Sequence, residues 1–93
     1  MTAFESIHFL PYHKVFPELS DKELHVVVLY CSGLKNELMV SVLNINIKTV
    51  GAHLYNCQLL YGLNSFSELR AMFMIRIFSL FIKYCHKKYD GHE

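Results

Sequence analysis

The feature that most constrains this chain is a stripe of apolar residues, Ile47, Val50, Leu54, Cys57 and Tyr61, spaced three, four, three and four residues apart. That rhythm matches one side of an α-helix and no strand. Asn46 precedes it, a residue type whose side-chain oxygen can accept a free backbone N–H at a helix start. Gly62 follows it, the type that closes a helix in the left-handed conformation. The opposite side reads Lys48, Ala52, Tyr55, Asn56 and Leu59. Such a helix turns its valine and leucine side inward and shows the remainder.

The rest of the chain is punctuated in the same way. Ser20 with Glu23 three residues on forms a capping box, each side chain satisfying a free backbone donor of the other. A helix is expected from there to about Ser32, ahead of Gly33, although Val26, Val27 and Val28 favour strands. Asn36 is expected to cap a short second helix in which Met39, Val40 and Leu43 recur at core spacing, and Asn44, Ile45 and Asn46 make a compact turn. A second capping box, Ser65 to Glu68, opens a long last helix. Its polar residues Arg76, Ser79, Lys83 and Lys87 form a narrow stripe, leaving apolar residues around most of the circumference. One apolar side can cover the first three helices, and the other needs a second partner. Before all this, Pro11 and Pro17 discourage a single long helix, so Phe4, Phe9, Tyr12 and Phe16 are expected on a short turn and an extended arm packed on the body or on a partner.

The expectation is therefore all-α: an arm over residues 1–18, a core over 19–69, and a continuation of the last helix over 70–93. Ninety-three residues suit one domain. The hydrophobic fraction of 53% exceeds the roughly 45–50% of ordinary globular domains, and the surplus points to a partner, first of all a second copy of the chain. The net charge of +1 lacks the strong basic signature of nonspecific nucleic-acid binding. Through residue 62 four lysines face five carboxylates. Cys31, Cys57 and Cys85 form no C-x-x-C pair; Cys31 and Cys57 sit among apolar residues at helical spacing and read as small core residues, which fits a reducing compartment. No charged leader followed by an apolar run and a cleavage site is visible, and the run from Ala71 to Ile82 contains Arg76 and falls short of a membrane span. A cytoplasmic protein without a membrane partner is the expectation.

Two helices joined by a short turn, the second with a polar outer face, follow the helix-turn-helix plan, in which the second helix enters the major groove. The residues make this more specific. The run Leu19 to Glu23, then Val26, Gly33, Asn36, Leu43, Ile45, Lys48, Thr49, Val50, His53, Gly62 and Glu68 to Ala71 stand in ungapped register. In these residues the chain resembles the LuxR/GerE-type helix-turn-helix domain from Leu19 to Leu69. The resemblance implies a four-helix domain that regulates transcription by binding double-stranded DNA and pairs as a homodimer through its last helix. Carried over by position, Lys48 and Thr49 touch phosphates at the start of the recognition helix, where the helix dipole favours an anion. Val50 packs inward and His53 sits at the groove edge. Asn36, Asn46, Ala52, Tyr55 and Asn56 complete the candidate DNA contacts, and Met74, Ile77, Phe78 and Phe81 are the candidate dimer contacts.

The chain also departs from that family. Gly51 stands where a lysine is usual, Ala52 and Tyr55 occupy other base-facing positions, Leu60 replaces a commonly basic residue, and Leu38 and Val42 replace commonly charged ones. With Leu59 the last two would enlarge an exposed apolar surface. A second reading follows, in which the fold is kept as a protein-interaction module that binds a larger regulator. Neither reading needs a cofactor. His8 and His13 lie five apart in the arm, His86 and His92 lie near the end, and none pairs at ligand spacing. Cys85 and His86 are adjacent on a helix and diverge, with no orienting acid near, so no catalytic residue is expected. These 93 residues leave no room for a sensing domain of ordinary size, so control is expected to come from protein abundance or a partner.

Overall fold

The computed structural model describes residues 8–90, with side chains through Cys85. The expectations placed on Phe4, on the side chains of His86 and Lys87, and on His92 lie outside the described residues. Four α-helices follow a short 3-10 turn at Leu10–Lys14: α1 (Asp21–Cys31), α2 (Asn36–Leu43), α3 (Ile47–Leu60) and α4 (Phe66–Asp90). No strand occurs among the described residues.

Helix α1 is the hub, meeting α2, α3, α4 and the 3-10 turn. It buries Leu24 and the four consecutive residues Val26, Val27, Val28 and Leu29, which cannot lie on one face of a helix. A helix covered on several sides has no strand competitor to fear from its valines, because burial of each side chain contributes about 1.5–3 kcal/mol against a propensity difference of a few tenths. Its start is set by the capping box: the Glu23 N–H donates to Ser20 Oγ at 3.3 Å and the Ser20 N–H donates to Glu23 Oε1 at 3.1 Å.

Left-handed residues end three helices. Gly33 (φ 98°), Asn44 (φ 53°) and Gly62 (φ 66°) each turn the chain back. At each end a later N–H reaches a carbonyl five residues before it: Leu34 to Leu29 at 3.0 Å, Ile45 to Val40 at 3.3 Å and Leu63 to Gln58 at 2.9 Å. Two starts differ from expectation. Lys35, not Asn36, is the N-cap of α2, and no side chain caps it; Asn36 is already the first helical residue, so its side chain cannot fold back as a cap. At α4 the Glu68 carboxylate accepts from the Asn64 N–H at 3.1 Å, one residue earlier than a Ser65 box would place it.

The end of the arm belongs to the core. Val15 and Phe16 are buried, Phe16 completely, together with Leu19 just beyond the arm. Phe16 stacks on Phe73 of α4, ring centroids 5.7 Å apart, and meets Tyr61 edge-on at 6.1 Å. Over this aromatic group lies a polar clamp. Arg76 Nη1 donates to the Val15 carbonyl at 2.9 Å and to Glu18 Oε1 at 3.0 Å, while the Tyr61 hydroxyl donates to the same Glu18 oxygen at 2.5 Å. The Arg76 guanidinium also stands 4.9 Å from the Tyr61 ring centre. Arg76, the first residue of the polar stripe, thus ties α4 to the arm and to the end of α3.

Beyond Phe73 helix α4 has no buried side chain as far as Cys85. The radius of gyration, 14.8 Å, exceeds the about 12 Å of a compact chain of this length, as a helix projecting past its core requires. No helix among the described residues is long and apolar enough to cross a membrane.

Phe16→Ala is expected to cost about 3–5 kcal/mol, the range for truncating a large core aromatic, read as a lower urea midpoint. The Tyr61 hydrogen bond, aided by Arg76, holds the Glu18 carboxyl below its ordinary 4.5 despite some desolvation. A depressed carboxyl contributes stability that is present above its ordinary value and is lost as the pH falls through the lowered one. Stability measured from pH 6 downward, roughly across the carboxylate range, should therefore fall less steeply in Glu18→Gln than in the native chain; parallel curves would remove this linkage.

Candidate nucleic-acid interface

The candidate surface is built by α2, the turn and α3. Asn44 in the left-handed conformation reverses the chain, Ile45 tucks partly against the core, and Asn46 adopts the extended backbone of an N-cap (φ −80°, ψ 151°). Asn46 Oδ1 accepts the Lys48 N–H at 2.7 Å, and its carbonyl takes the N–H groups of Thr49 and Val50 at 3.0 and 3.1 Å. Val50, Leu54 and Cys57 are then buried against the hub. Those three fixed points set the rotation of α3.

They also decide what faces out. Lys48, Ala52, Tyr55 and Asn56 are exposed, as expected from the sequence, and so is Asn36 at the start of α2. Thr49 and His53 are half-buried, lying at the flank of the outward face. Ile47 departs from the inward stripe and is 49% exposed. As the first residue of the helix it points back past the helix end, where no neighbouring turn covers it. Tyr61 is half-buried and contributes to the clamp described above. Leu38 and Val42 are half-buried as well, so they add less exposed apolar surface than their composition implied. Leu59 and Leu60 add more, at 59% and 55% exposed, beside Tyr55 at 53%.

Electrostatically, α3 carries one formal charge, Lys48. Its first turn has no carboxylate, whereas the first turns of α1 and α2 have Asp21, Glu23 and Glu37. The positive end of the α3 dipole therefore meets solvent without an internal counter-charge. What the face can do chemically is limited to that dipole, one ammonium, the hydrogen-bonding groups of Thr49, His53, Tyr55 and Asn56, and a leucine-rich last turn.

The candidate dimer residues lie on α4. Met74, Phe78 and Phe81 are exposed, Phe81 by 63%. Ile77 is half-buried and packs partly against the core. Exposed residues that sequence reading did not select, Ile75, Leu80, Ile82 and Tyr84, extend the apolar surface around the helix. Spacing alone could not separate the side used by the body from the side left over, since almost every position is apolar.

The cysteines give this surface no reactive competitor among the described residues. Burial pushes the Cys31 and Cys57 thiols up to about 12, which keeps both protonated and unreactive at neutral pH. Among the described residues no group of three or more His, Cys, Asp or Glu side chains could hold a metal ion.

No family model matches the chain, and no solved structure matches it. It is similar to Protein TraJ of Escherichia coli, 30% identical over 69 residues. The match takes in 74% of this chain and 46% of that protein, so the chain spans about half the length of the relative.

Gly51 lies in the middle of α3 with nothing within 4 Å of where a Cβ would stand. Nothing among the described residues demands glycine there, and Gly51→Ala is expected to raise stability by about 0.5–1 kcal/mol. An unchanged or lowered urea midpoint would show a constraint from the helix itself.

Proposed function

We propose that the chain is a small, non-enzymatic transcription regulator of LuxR/GerE type that lays α3 in the major groove of double-stranded DNA and pairs with a second copy through the exposed apolar face of α4. The single observation carrying this reading is the α2–turn–α3 unit, whose left-handed Asn44, Asn46 cap and buried Val50, Leu54 and Cys57 turn Lys48, Ala52, Tyr55 and Asn56 outward together. The likeness to Protein TraJ points to a regulatory role. The protein would act in the bacterial cytoplasm, with Lys48 and the start of α3 on phosphate and the half-buried Thr49 and His53 at the groove edge.

One observation favours a second reading. Ile47, Tyr55, Leu59 and Leu60 leave α3 with more exposed apolar surface than a groove-reading helix needs. In that reading the same face docks on a larger regulator and alters its DNA binding.

Titration of the purified protein with random and promoter duplexes at low and at physiological salt separates the two. Direct binding requires affinity at low salt with a shallow salt slope, since each neutralised phosphate contributes only about 0.9 to that slope. Lys48→Ala should weaken binding on all sequences alike and reduce the slope by about 1, and Gly51→Lys should tighten it and raise the slope by about 1. No association at low salt, in either the native chain or Gly51→Lys, would end the DNA reading and leave the docking one.

A further inference from the structure

A cleft of about 350 Å³ lies between α1, the end of α2 with its turn, and α3, lined by Asp21, Lys22, His25, Leu43, Ile45 and His53. We propose that it binds a small, uncharged aromatic molecule with one polar edge, and that such a ligand bridges α1 to the helix-turn-helix unit.

The shape and the lining chemistry select that class. The volume sits at the lower end of small-molecule sites, about 300–1,000 Å³, which suits one or two fused rings. Leu43 and Ile45 supply apolar surface from the end of α2 and its turn, and the imidazoles of His25 and His53 stand on α1 and α3. A neutral imidazole offers an aromatic face together with one donor and one acceptor, which matches a flat ring with a polar edge. His25 already uses its ring in this way, stacked on Phe9 with centroids 4.1 Å apart. Its desolvation favours the neutral form. The two formal charges, Asp21 and Lys22, oppose each other, and Asp21 is held by His13 Nε2 at 2.9 Å. The cleft therefore offers an ion no net field to enter by. A metal is a poorer occupant, since among the described residues no group of three ligating side chains converges.

The position gives the site a consequence. Ile45 belongs to the turn that aims α3, and His53 belongs to α3 itself. A ligand touching both and α1 favours the state in which those elements are packed, and any change it makes in their packing reaches the outward face of α3. The inference does not depend on what that face contacts, because its readout is ligand binding to the free chain.

The test is an amide and imidazole NMR titration of the full chain with indole as the neutral probe, and with benzoate and benzylamine as charged rings. Indole should saturate in the millimolar range or tighter, with its largest shifts at His25, Leu43, Ile45 and His53, and both charged rings should bind at least about tenfold more weakly. Ile45→Trp should fill the cleft and abolish the shifts in a chain that keeps its helical circular dichroism. His53→Ala, at a half-buried position with less risk to folding, should weaken indole at least threefold. Failure of indole to saturate up to its solubility limit, shifts scattered away from the cleft, equal binding of benzoate, or an unchanged His53→Ala would each overturn the proposal.

Discussion

The structure depends on one packing event, the seating of Val50, Leu54 and Cys57 against the hub helix α1. Helix α1 has little choice of environment. With Leu24 and four consecutive apolar residues from Val26 to Leu29 buried, it must be covered on several sides. Helix α3 supplies one of those covers, and its three buried residues fix its rotation. Once they are seated, Lys48, Ala52, Tyr55 and Asn56 have nowhere to go but out. The outward face is a consequence of the core rather than a separate design, and a residue changed in the core would re-aim it.

A second layer, the polar clamp of Glu18, Tyr61 and Arg76, couples parts of the chain that the core alone leaves loosely joined. It links the arm, the end of α3 and the middle of α4 through a shared carboxylate oxygen. Charge-assisted hydrogen bonds of this kind are stronger than neutral ones, but all three side chains keep some contact with water, which screens them. The clamp's value is therefore geometric: it sets the direction in which α4 leaves the body just where α4 stops burying side chains. Any partner of the exposed face beyond Phe73 meets a helix aimed by that carboxylate.

The legible parts of this fold were those written locally. Ser20 and Glu23, Asn46, Gly33 and Gly62 announce helix ends because a cap is made by residues a few positions apart, and all of them function as read. The three valines of α1 were placed in a helix by their flanking signals, and burial overrode their strand preference. What was not legible was set partly by contacts distant in sequence and partly by where a residue falls at a helix end. Nothing near Phe16 says that it will lie under Phe73, and nothing in the polar stripe says that Arg76 will meet Glu18 and the Val15 carbonyl. Ile47 fits the stripe by number yet sits too early in the helix to reach the core, and Asn36 misses its capping role by a single residue. For the candidate surface, residue identity on α3 was legible, while the cleft behind it, assembled from α1, the turn and α3, was not.

The sparse charge of α3 bears on how such a surface could act at all. In the proposed complex one lysine and an uncompensated helix end would neutralise few phosphates, and a single copy would gain little from counterion release. Two copies held through α4 would present two such faces to one duplex, and the second contact becomes intramolecular, with an effective concentration set by the rigid helix rather than by solution. Weak half-contacts then suffice, provided the pairing is firm. Such pairing would draw on Met74, Phe78, Phe81 and Ile82, all exposed on the projecting helix. On the proposed reading, apolar surface on α4 and scarcity of charge on α3 would answer the same requirement: the less each α3 face could grip alone, the more DNA binding would rest on a helix able to join two of them.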